Sequence, residues 1–542
     1  MKKMIYHNGT ILTMDDKNLQ VEAVCTQDGI ITKVGKKEEV FALQDENTQV
    51  IDLKGTTMLP GFIDPHGHIV AIAQTLLIAN LSETASKEEF LEGLRKQLKE
   101  HPPKEGEWLI GFGYDNTRYE GGLHPDKFDL DSVSTEVPIY VSHASGHVAV
   151  VNSKALEILG YTGENYTVPE GGIVRTLPNS KEANGVLEEN ACLAPEKKDL
   201  IPKPSFQALV DCLKQAQLIY ASYGITTCQD ASVDEGMHQL LQAAAAQNAV
   251  IIDIVGHAVQ HTTMKLLKNE GTPVRHYQNH YKLLGGKTWL DGSPQAKTAW
   301  LTKPYFQPPE GKEADYCGYG TQQDETVTAY LKTLIENNIQ ANAHCNGDAA
   351  ADQYIRCYKE ALKQVNQKAD LRPVMVHCQT VRADQLDEMK EIGMIPTFFL
   401  DHIYFWGDYY YDSILGPQRS QVISPVKWAL ERGINYTLHQ DPPVKMPNQI
   451  LALHNAVNRK TQSGRVLGED MCISILDALK AITINGAYQY FEEHEKGSIE
   501  VGKKADFVVL DQNPLTTAKD EIHNIQVLKT IKEDSVIYEA AK

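Results

Sequence analysis

Long apolar runs are absent from this sequence, and no stretch approaches the roughly 20 apolar residues that a membrane-spanning helix requires. Near the start, Lys2 and Lys3 are not followed by the continuous apolar segment of a secretory signal peptide. We therefore expect no membrane partner, and the default expectation is a cytoplasmic location.

Basic charge is also scarce. Lys and Arg number 52 against 71 for Asp and Glu, which gives a formal net charge of -19. Proteins that bind the phosphate backbone of nucleic acids need a basic surface, and the sequence contains no polybasic run. We predict that the protein has no nucleic-acid partner.

Cysteine pairs with close spacing are missing as well. Nine cysteines are scattered without a CxxC pair, at positions 25, 192, 212, 228, 317, 345, 357, 378 and 472. This distribution favours free thiols in a reducing compartment over a disulfide framework. Cys345 and Cys378 each follow a histidine, and strand alternation turns them away from it, so we interpret them as small buried residues.

The composition, with 42% hydrophobic and 23% charged residues, is that of a globular protein, and 542 residues predict two or three structural units. Both ends of the chain are rich in short β-type runs with turn pairs between them. We expect residues 1–58 and 490–542 to pair into one small domain, an antiparallel sheet arranged as a β-sandwich.

Between these ends, short apolar runs alternate with helical patterns such as DETVTAYLKTLIENN and RADQLDEMKEIG, which is typical of a parallel sheet. There are eight such runs: LPGFIDPHGH (59–68), GITTCQD (224–230), VIIDIVGHA (250–258), HYKLLGGKTWLDG (280–292), IQANAHCNGD (339–348), RPVMVHCQT (372–380), MIPTFFLDH (394–402) and INYTLHQD (434–441). The sequence thus predicts an α/β fold, a (β/α)8 TIM barrel formed by residues 59–74 and 216–489.

The first two predicted strands are separated by about 155 residues, far more than the few that usually connect a strand to the next helix. This span must have structure of its own. We assign residues 75–215 to an inserted lobe that covers the mouth of the barrel.

The motif LPGFIDPHGHI places His66 and His68 one residue apart. In an extended strand these two side chains share a face, while Gly67 points away, so both imidazoles would converge on one point. On the motif alone, an ordinary loop and a metal site are equally open.

Titratable residues end several of the predicted strands, which is where barrel enzymes carry their reactive groups. They are His66 and His68 in the first strand, Lys287 and Asp291 in the fourth, His344 in the fifth, His377 in the sixth and Asp441 in the eighth. Each alone would more often be a hydrogen-bonded packing residue, but burying them together without a shared partner would be costly. Imidazoles and a carboxylate without thiolates suit Zn²⁺, and also Mn²⁺, Fe²⁺ or Co²⁺.

Longer motifs are spread over most of the chain. They include VIDLKGTTMLPGFIDPHGH, GFGYDNTRY, HASGHVAVVNSKAL, GITTCQD, GGKTWLDGSPQAKTAWL, AHCNGDAA, RPVMVHCQT, FFLDHIYFWGD, LHQDPPV and GSIEVGKKADFVVLDQNP. In these motifs the chain resembles the amidohydrolase superfamily, and within it amidohydrolase family 3, the YtcJ-like proteins.

The resemblance implies a divalent metal centre, most simply zinc, with one or two ions. Its implied ligands are His66, His68, Lys287, His344, His377 and Asp441, with Lys287 carbamylated by CO₂ so that it bridges two ions. Lys287 is preferred to Lys282 because of its four-residue step to Asp291. The sequence departs from the family's Gly-Ser-Asp pattern, since it reads His439-Gln440-Asp441.

The implied activity is hydrolysis of a non-peptide C–N bond, such as an N-formyl or N-acyl amine, by metal-activated water, within the EC 3.5 class. Asp441 would act as general base and then as general acid. Two alternatives stay open: a deaminase or cyclic-amide hydrolase on the same scaffold, and a non-catalytic regulatory protein, which would require missing ligands. The expected partner is a small-molecule substrate, and a homodimer is a further expectation.

Aromatic and imidazole side chains near the expected site predict an apolar, aromatic substituent on the substrate, although packing of the lobe explains each of them equally well. The predicted substrate contacts are Phe112, Tyr114, His147, Trp300, His402, Trp406 and His439. His147 and His402 are also the candidate second donors to the tetrahedral intermediate.

Overall fold

The computed structural model describes residues 2–143, 148–163, 165–169, 172–192, 204–269, 272, 274–309, 311–365 and 370–541. Two compact units divide the chain. The first contains residues 1–70 and 217–542, and the second contains residues 71–216.

The first unit is built around an eight-stranded sheet in which every neighbouring pair of strands is parallel. In chain order its strands are β1 (Phe62–Ile63), β2 (Ile225–Val233), β3 (Asp253–Val259), β4 (Tyr281–Trp289), β5 (Gln340–Cys345), β6 (Val374–His377), β7 (Ile395–Phe398) and β8 (Thr437–Leu438). Each of the eight predicted runs overlaps one of these strands, so the prediction of a mixed α/β fold with a parallel sheet is confirmed.

Helices follow the strands, as the apolar spacing of the sequence predicts. The helices of this unit are Lys37–Phe41, Glu235–Ala246, Thr263–Leu267, Asp324–Glu336, Asp348–Val365, Ala383–Glu391, Asp401–Tyr409, Gly416–Arg419, Val426–Glu431, Gln449–Asn458, Ile475–Ala481 and Ile484–Gln489, with a π-helix at Tyr410–Ile414 and 3₁₀ turns at Ser420–Val422, Glu469–Met471 and Lys519–Asn524. In Asp324–Glu336 the buried Val327, Leu331 and Leu334 repeat at three- and four-residue intervals and form its inner face.

The parallel sheet curls until its first and last strands approach each other. The side chain of Gln489 links the two edges. Its Oε1 accepts a hydrogen bond of 2.9 Å from Thr437 Oγ1, and its Nε2 donates one of 2.8 Å to the backbone carbonyl of Pro65. The residues that follow β1 and β8 are thereby brought to one place, although they lie more than 350 residues apart in the chain.

Strands from both ends of the chain share a second eight-stranded sheet. These strands are Lys3–Leu12, Gln20–Gln27, Ile30–Gly35, Thr48–Asp52, Thr57–Pro60, Phe507–Leu510, Val527–Lys532 and Ser535–Glu539. The sheet is mixed, not antiparallel as expected, because Lys3–Leu12 pairs in parallel with both Thr48–Asp52 and Thr57–Pro60.

The chain passes from this mixed sheet into the parallel sheet at Gly61. Residues 59 and 60, expected in the first barrel strand, instead pair with Phe507–Leu510. A β-carbon on Gly61 would lie 2.4 Å from Thr226 Oγ1, so only glycine fits at this crossing.

A buried ion cluster joins the two sheets. Asp253, which is fully buried in β3, is bound by Lys496 and accepts a hydrogen bond of 2.7 Å from Lys532 of the mixed sheet. Lys282 of β4 binds the buried Glu492, whose carboxylate also lies 3.0 Å from Lys496. Each buried charge therefore has an opposite charge as partner, without which its burial would be strongly unfavourable.

The second unit is centred on a six-stranded sheet with the order Gly172–Thr176, Ala183–Glu189, Val148–Val151, Ile139–His143, Leu109–Tyr114, Ile78–Asn80. Its helices are Lys87–Glu100, Lys127–Asp131 and Ser153–Leu159, with 3₁₀ turns at Asn116–Arg118 and Glu120–Gly122, and the helices Ile69–Thr75 and Phe206–Ser222 cross its limits. A core that includes Leu81, Phe90, Tyr114 and Val141 packs against one face of the sheet.

Within the described ranges, no helix is both long enough and apolar enough to cross a membrane. The nine cysteines form no disulfide, and Cys345 and Cys378 are buried.

Asp253→Asn should destabilise the protein by about 3 kcal/mol or more, because it leaves two buried ammonium groups with one negative charge fewer. Denaturant unfolding would measure the change. Asp520→Asn, which breaks the exposed pair between Asp520 and Lys460, is the matched control and should have a much smaller effect. Equal effects of the two substitutions would contradict a stabilising role for the cluster.

Candidate metal centre

The two histidines of the HGH motif lie beyond the end of β1, not within it. β1 ends at Ile63, and a helix begins at Ile69. The expected extended strand through His68 is therefore wrong, in part because Pro65 has no N–H to donate to a strand ladder. The rings of His66 and His68 still lie close together, with centroids 5.5 Å apart and planes nearly perpendicular.

Neighbouring segments on both sides hold this loop. The N–H of His68 donates to the carbonyl of Pro442 at 2.9 Å, and the N–H of Ala231 donates to the carbonyl of Gly67 at the same distance. A β-carbon on Gly67 would lie 2.7 Å from Asp64 Oδ2, so glycine allows the close approach. The loop is fixed between the ends of β2 and β8.

Asp441 forms the centre of a group of imidazoles. Its Oδ1 lies 3.3 Å from Nε2 of His68 and 3.5 Å from Nε2 of His66, and its Oδ2 lies 3.9 Å from Nε2 of His377. Ligand atoms of His66, His377 and Asp441 all lie within 4.8 Å of one another, a spacing that suits one metal ion.

His344 joins the group through His377. Nε2 of His344 donates to the carbonyl of Gly292 at 3.1 Å, which leaves the lone pair on Nδ1. That Nδ1 lies 3.0 Å from Nε2 of His377. Two imidazole nitrogens that face each other at this distance form a natural pair of metal donors.

Lys287 completes the group of predicted ligands. Its Nζ is 3.4 Å from Nε2 of His66 and 3.5 Å from the side-chain oxygen of Asn342. Burial lowers the pKa of the Lys287 amine to about 7, so much of it is neutral near neutral pH. Lys282, the other lysine of β4, lies instead in the ion cluster with Glu492.

The protonation states suit metal binding, which requires neutral imidazole and ionised carboxylate. Burial lowers the pKa of His66 and His377 well below the usual value. Burial alone would raise the pKa of Asp441, but the hydrogen bond with His68 and the rings of His66 and His377 hold it well below its usual range.

Two residues that sequence reasoning missed orient the first pair of histidines. The side-chain carbonyl of Gln229 accepts from Nδ1 of His66 at 2.8 Å, which leaves the lone pair of Nε2 directed at the site. The hydroxyl of Ser232 lies 3.0 Å from Nδ1 of His68. Such partners fix the tautomer and orientation of metal-binding histidines. Gln229 lies in the second predicted run, GITTCQD, and Ser232 lies two residues beyond its end, which was the only available signal.

Two site residues have a left-handed backbone. The φ angles of His377 and Asp441 are 73° and 57°. This conformation is unfavourable for residues other than glycine, and the surrounding structure must impose it. The strain redirects both side chains toward the site at the ends of their strands.

Asp291, the other titratable residue predicted in the fourth strand, organises the adjacent loops. Its buried carboxylate accepts hydrogen bonds from the backbone N–H groups of Trp300, Asn346 and Gly347, at 3.0, 3.0 and 2.7 Å. Asp291 thus joins the loop after β4 to the loop after β5, which carries the residues that follow His344.

Four predicted substrate contacts lie in the first unit. The ring of His402 stacks on Phe399 at 4.1 Å and lies 6.3 Å from the ring of His377 and 5.4 Å from that of Trp406. His439 is fully buried beside His377, at 5.1 Å between centroids.

Trp300 is half-buried on the loop that Asp291 holds. Lys445, which sequence reasoning missed, places its ammonium group 3.7 Å from the ring centre of Phe405 and 5.1 Å from that of Trp406. This contact ties the loop after β8 to the helix after β7.

The remaining predicted contacts belong to the second unit. Tyr114 is fully buried in the core of that unit, where its hydroxyl lies 3.0 Å from Nδ1 of His124. Phe112, by contrast, is half exposed, with 51% of its surface accessible. His147 lies outside the described residues.

Comparison with known proteins agrees with a group of imidazole and carboxylate side chains at the ends of parallel strands. The model of the amidohydrolase family matches residues 49–538. The chain belongs to the amidohydrolase family. It is a hydrolase that acts on carbon–nitrogen bonds other than peptide bonds, and the family implies a divalent metal.

Relatives extend over the whole chain. The putative amidohydrolase YtcJ of Bacillus subtilis is 26% identical, with 99% of each chain covered. The N-substituted formamide deformylase of Arthrobacter pascens is also 26% identical, again over 99% of each chain.

The fold has a close counterpart among solved structures. An uncharacterized metal-dependent hydrolase from Pyrococcus horikoshii OT3 superposes with a TM-score of 0.74 at 23% identity, covering 96% of this chain and 99% of that one. At this identity the likeness supports the amidohydrolase fold alone.

Gln229→Leu should weaken metal binding by about 10- to 100-fold, because His66 loses the acceptor that fixes its tautomer. Competition with a chelator would measure the affinity. Gln217→Leu removes another buried glutamine, one that bonds the backbone of residues 249, 251 and 252, and is the control. The same loss of affinity in both variants would refute the orienting role.

Proposed function

We propose that this protein is a metal-dependent hydrolase that releases an amine from an N-formyl or N-acyl amine. The observation that carries the proposal is the convergence of six side chains from five strand ends, each within 4 Å of another member of the group. They are His66, His68, Lys287, His344, His377 and Asp441. A non-catalytic regulatory protein would be expected to lack one or more of these residues, and all six are present.

The six side chains would hold one or two divalent cations, with zinc as the simplest choice because the donors are mainly imidazoles. When bound, the cation supplies Lewis acidity, which lowers the pKa of a water molecule and polarises the substrate carbonyl. The fit rests on the three donors that lie within 4.8 Å of one another and on the lone pairs that Gln229 and Gly292 leave on His66 and His344.

Lys287 is the candidate bridging ligand, as a carbamate. Its neutral amine would attack CO₂, so that an N–C bond forms, one C=O π bond becomes a C–O⁻ bond, and one proton passes from the nitrogen to water. The product is a carbamate whose single negative charge is shared by two oxygens, in place of an ammonium that would repel a cation. The lowered pKa of the amine and its burial beside His66 support this chemistry.

Asp441 would carry the proton during the reaction. Its ionised carboxylate takes a proton from the attacking water as the C–O bond forms, and returns it to the departing nitrogen as the C–N bond breaks. The strained backbone holds the carboxylate among the imidazoles, where it is already in place before substrate binds.

The substrate side of the proposal rests on the aromatic residues near the site and on a relative. His402, Trp406 and Trp300 would contact an apolar substituent, and His402 would donate a hydrogen bond to the developing oxyanion. The name of the Arthrobacter pascens relative, N-substituted formamide deformylase, favours an N-formyl amine.

We further propose that the curled sheet closes into a (β/α)8 barrel and that the mixed sheet forms a β-sandwich. The link that Gln489 makes between β1 and β8 supports closure.

Product analysis would test the proposed function. The metal-loaded protein, given N-formylbenzylamine, should release formate and benzylamine. A deaminase on the same scaffold would instead release ammonia from an amino-substituted ring, and a cyclic-amide hydrolase would open a lactam or imide to an acid. If the protein hydrolysed the amino-substituted ring or the cyclic amide but not the N-formyl amine, that activity would replace the proposed one.

Asp441→Asn should reduce kcat for an N-formyl or N-acyl amine by at least about 100-fold, because the amide cannot accept the proton. Metal content should stay within the range of the unchanged protein, since the other five donors remain. Metal analysis and steady-state kinetics would check both points. Turnover close to normal would remove Asp441 from the proton-transfer role.

Lys287→Met should abolish the carbamate and lower the bound metal from two ions to one or none. Carbon-13 NMR after incubation with labelled bicarbonate would detect the carbamate carbon. Lys282→Met is the matched control, a buried lysine of the same strand that lies away from the site, and it should keep the signal. A carbamate signal that survives in the Lys287 variant would disprove the assignment.

A further inference from the structure

His439 stands immediately beside the candidate ligands, two residues before Asp441. Its backbone N–H donates to the carbonyl of Phe398 at 3.0 Å, which fixes it to the end of β7. Its side chain is fully buried. A direct contact with substrate, which the sequence suggested, does not explain an imidazole that is enclosed on every side.

The ring of His439 forms a near-regular triangle with two of the candidate ligands. Its centroid is 5.1 Å from that of His66 and 5.1 Å from that of His377, and the centroids of His66 and His377 are 5.6 Å apart. Phe399 closes the remaining side at 5.1 Å. The rings of three histidines therefore lie next to one another, and an apolar ring borders them.

The ring nitrogens of His439 have no side-chain hydrogen-bond partner within the described part of the chain. Within the described part of the chain, neither ring nitrogen makes a hydrogen bond of normal geometry, although the backbone of His66 favours a proton on the ring. A neutral imidazole carries one N–H and one lone pair. Burying a lone pair without a partner is costly, and such exceptions in buried regions call for an explanation.

A bound cation would explain the unpaired ring nitrogens of His439 better than the neighbouring side chains do. The charged groups that act on His439 are Asp441, Lys287 and His68, and none of them makes a hydrogen bond with its ring. A metal-binding histidine commonly offers one nitrogen to the ion and the other to a carbonyl. The backbone of His66 is the available carbonyl here.

We propose that His439 is a further imidazole ligand of the cation, beside His66, His377 and Asp441. The inference rests on the proposed metal centre. It makes the donor set richer in nitrogen, which favours Zn²⁺, Co²⁺ or Ni²⁺ over Mg²⁺ and Mn²⁺, since the latter prefer oxygen donors.

The test replaces His439 with Phe, which keeps a planar ring in the cavity and removes both nitrogens. His439→Asn is the second variant, in case the larger ring prevents folding. His238→Phe is the control, because His238 is also buried but bonds Tyr281 through its Nδ1 at 2.8 Å, away from the site. The probes are Zn²⁺ alone and Co²⁺ alone, added to the metal-free full-length chain.

Two measurements decide the result. X-ray absorption of the zinc protein counts the imidazoles bound to the ion, and chelator competition gives the affinity. We expect the imidazole count to fall by one and the affinity to fall by at least about tenfold in both His439 variants, with no change in the control. The visible spectrum of the cobalt protein should also shift.

An unchanged imidazole count in a folded His439 variant would overturn the inference, even if the affinity falls, because a residue that only supports a ligand would leave the count intact. A wild-type protein that binds no zinc would instead refute the proposed metal centre. The two failures are therefore distinguishable without an activity assay.

Discussion

The site depends on one carboxylate, that of Asp441, placed among imidazole side chains. Burial would raise the pKa of Asp441, but the hydrogen bond with His68 and the nearby rings of His66 and His377 hold it well below its usual range. Neutral rings compensate that charge far less well than a cation would. The same convergence leaves lone pairs on His66 and His344 that face inward. A metal ion satisfies all of these groups together, and that requirement links the electrostatics to the chemistry.

The fold separates the groups that stabilise it from the groups that react. At the start of the parallel strands, Asp253, Lys282 and Glu492 belong to a paired ion cluster that fastens the mixed sheet to the parallel sheet. At the other end, the ring nitrogens of His439 make no hydrogen bond of normal geometry within the described residues. The well-paired end supplies the stability that allows the strained backbone of His377 and Asp441 to persist at the other.

The sequence predicted the eight strands and the titratable residues near their ends because both depend on local patterns, and the resemblance to the amidohydrolase superfamily selected the six candidate ligands among those residues. It did not predict that His66 and His68 follow the strand, since their alternation was consistent with an extended chain. The left-handed backbone of His377 and Asp441 and the hydrogen bond from His66 to Gln229 depend on contacts between distant segments. The parallel pairing inside the terminal sheet was missed for the same reason, since strand direction is not visible in short β-type runs.

Two lysines of one strand show why residue type alone does not identify a functional group. Lys282 and Lys287 are both buried in β4, five residues apart. Lys282 has a carboxylate partner, Glu492, and its charge belongs to the ion cluster. Lys287 faces an imidazole and an amide, which offer no such compensation, and burial therefore lowers the pKa of its amine. The environment places one lysine in an ion cluster and leaves the other without a hydrogen-bonded carboxylate among the described residues, so the pKa of a buried lysine in this strand depends on its neighbours.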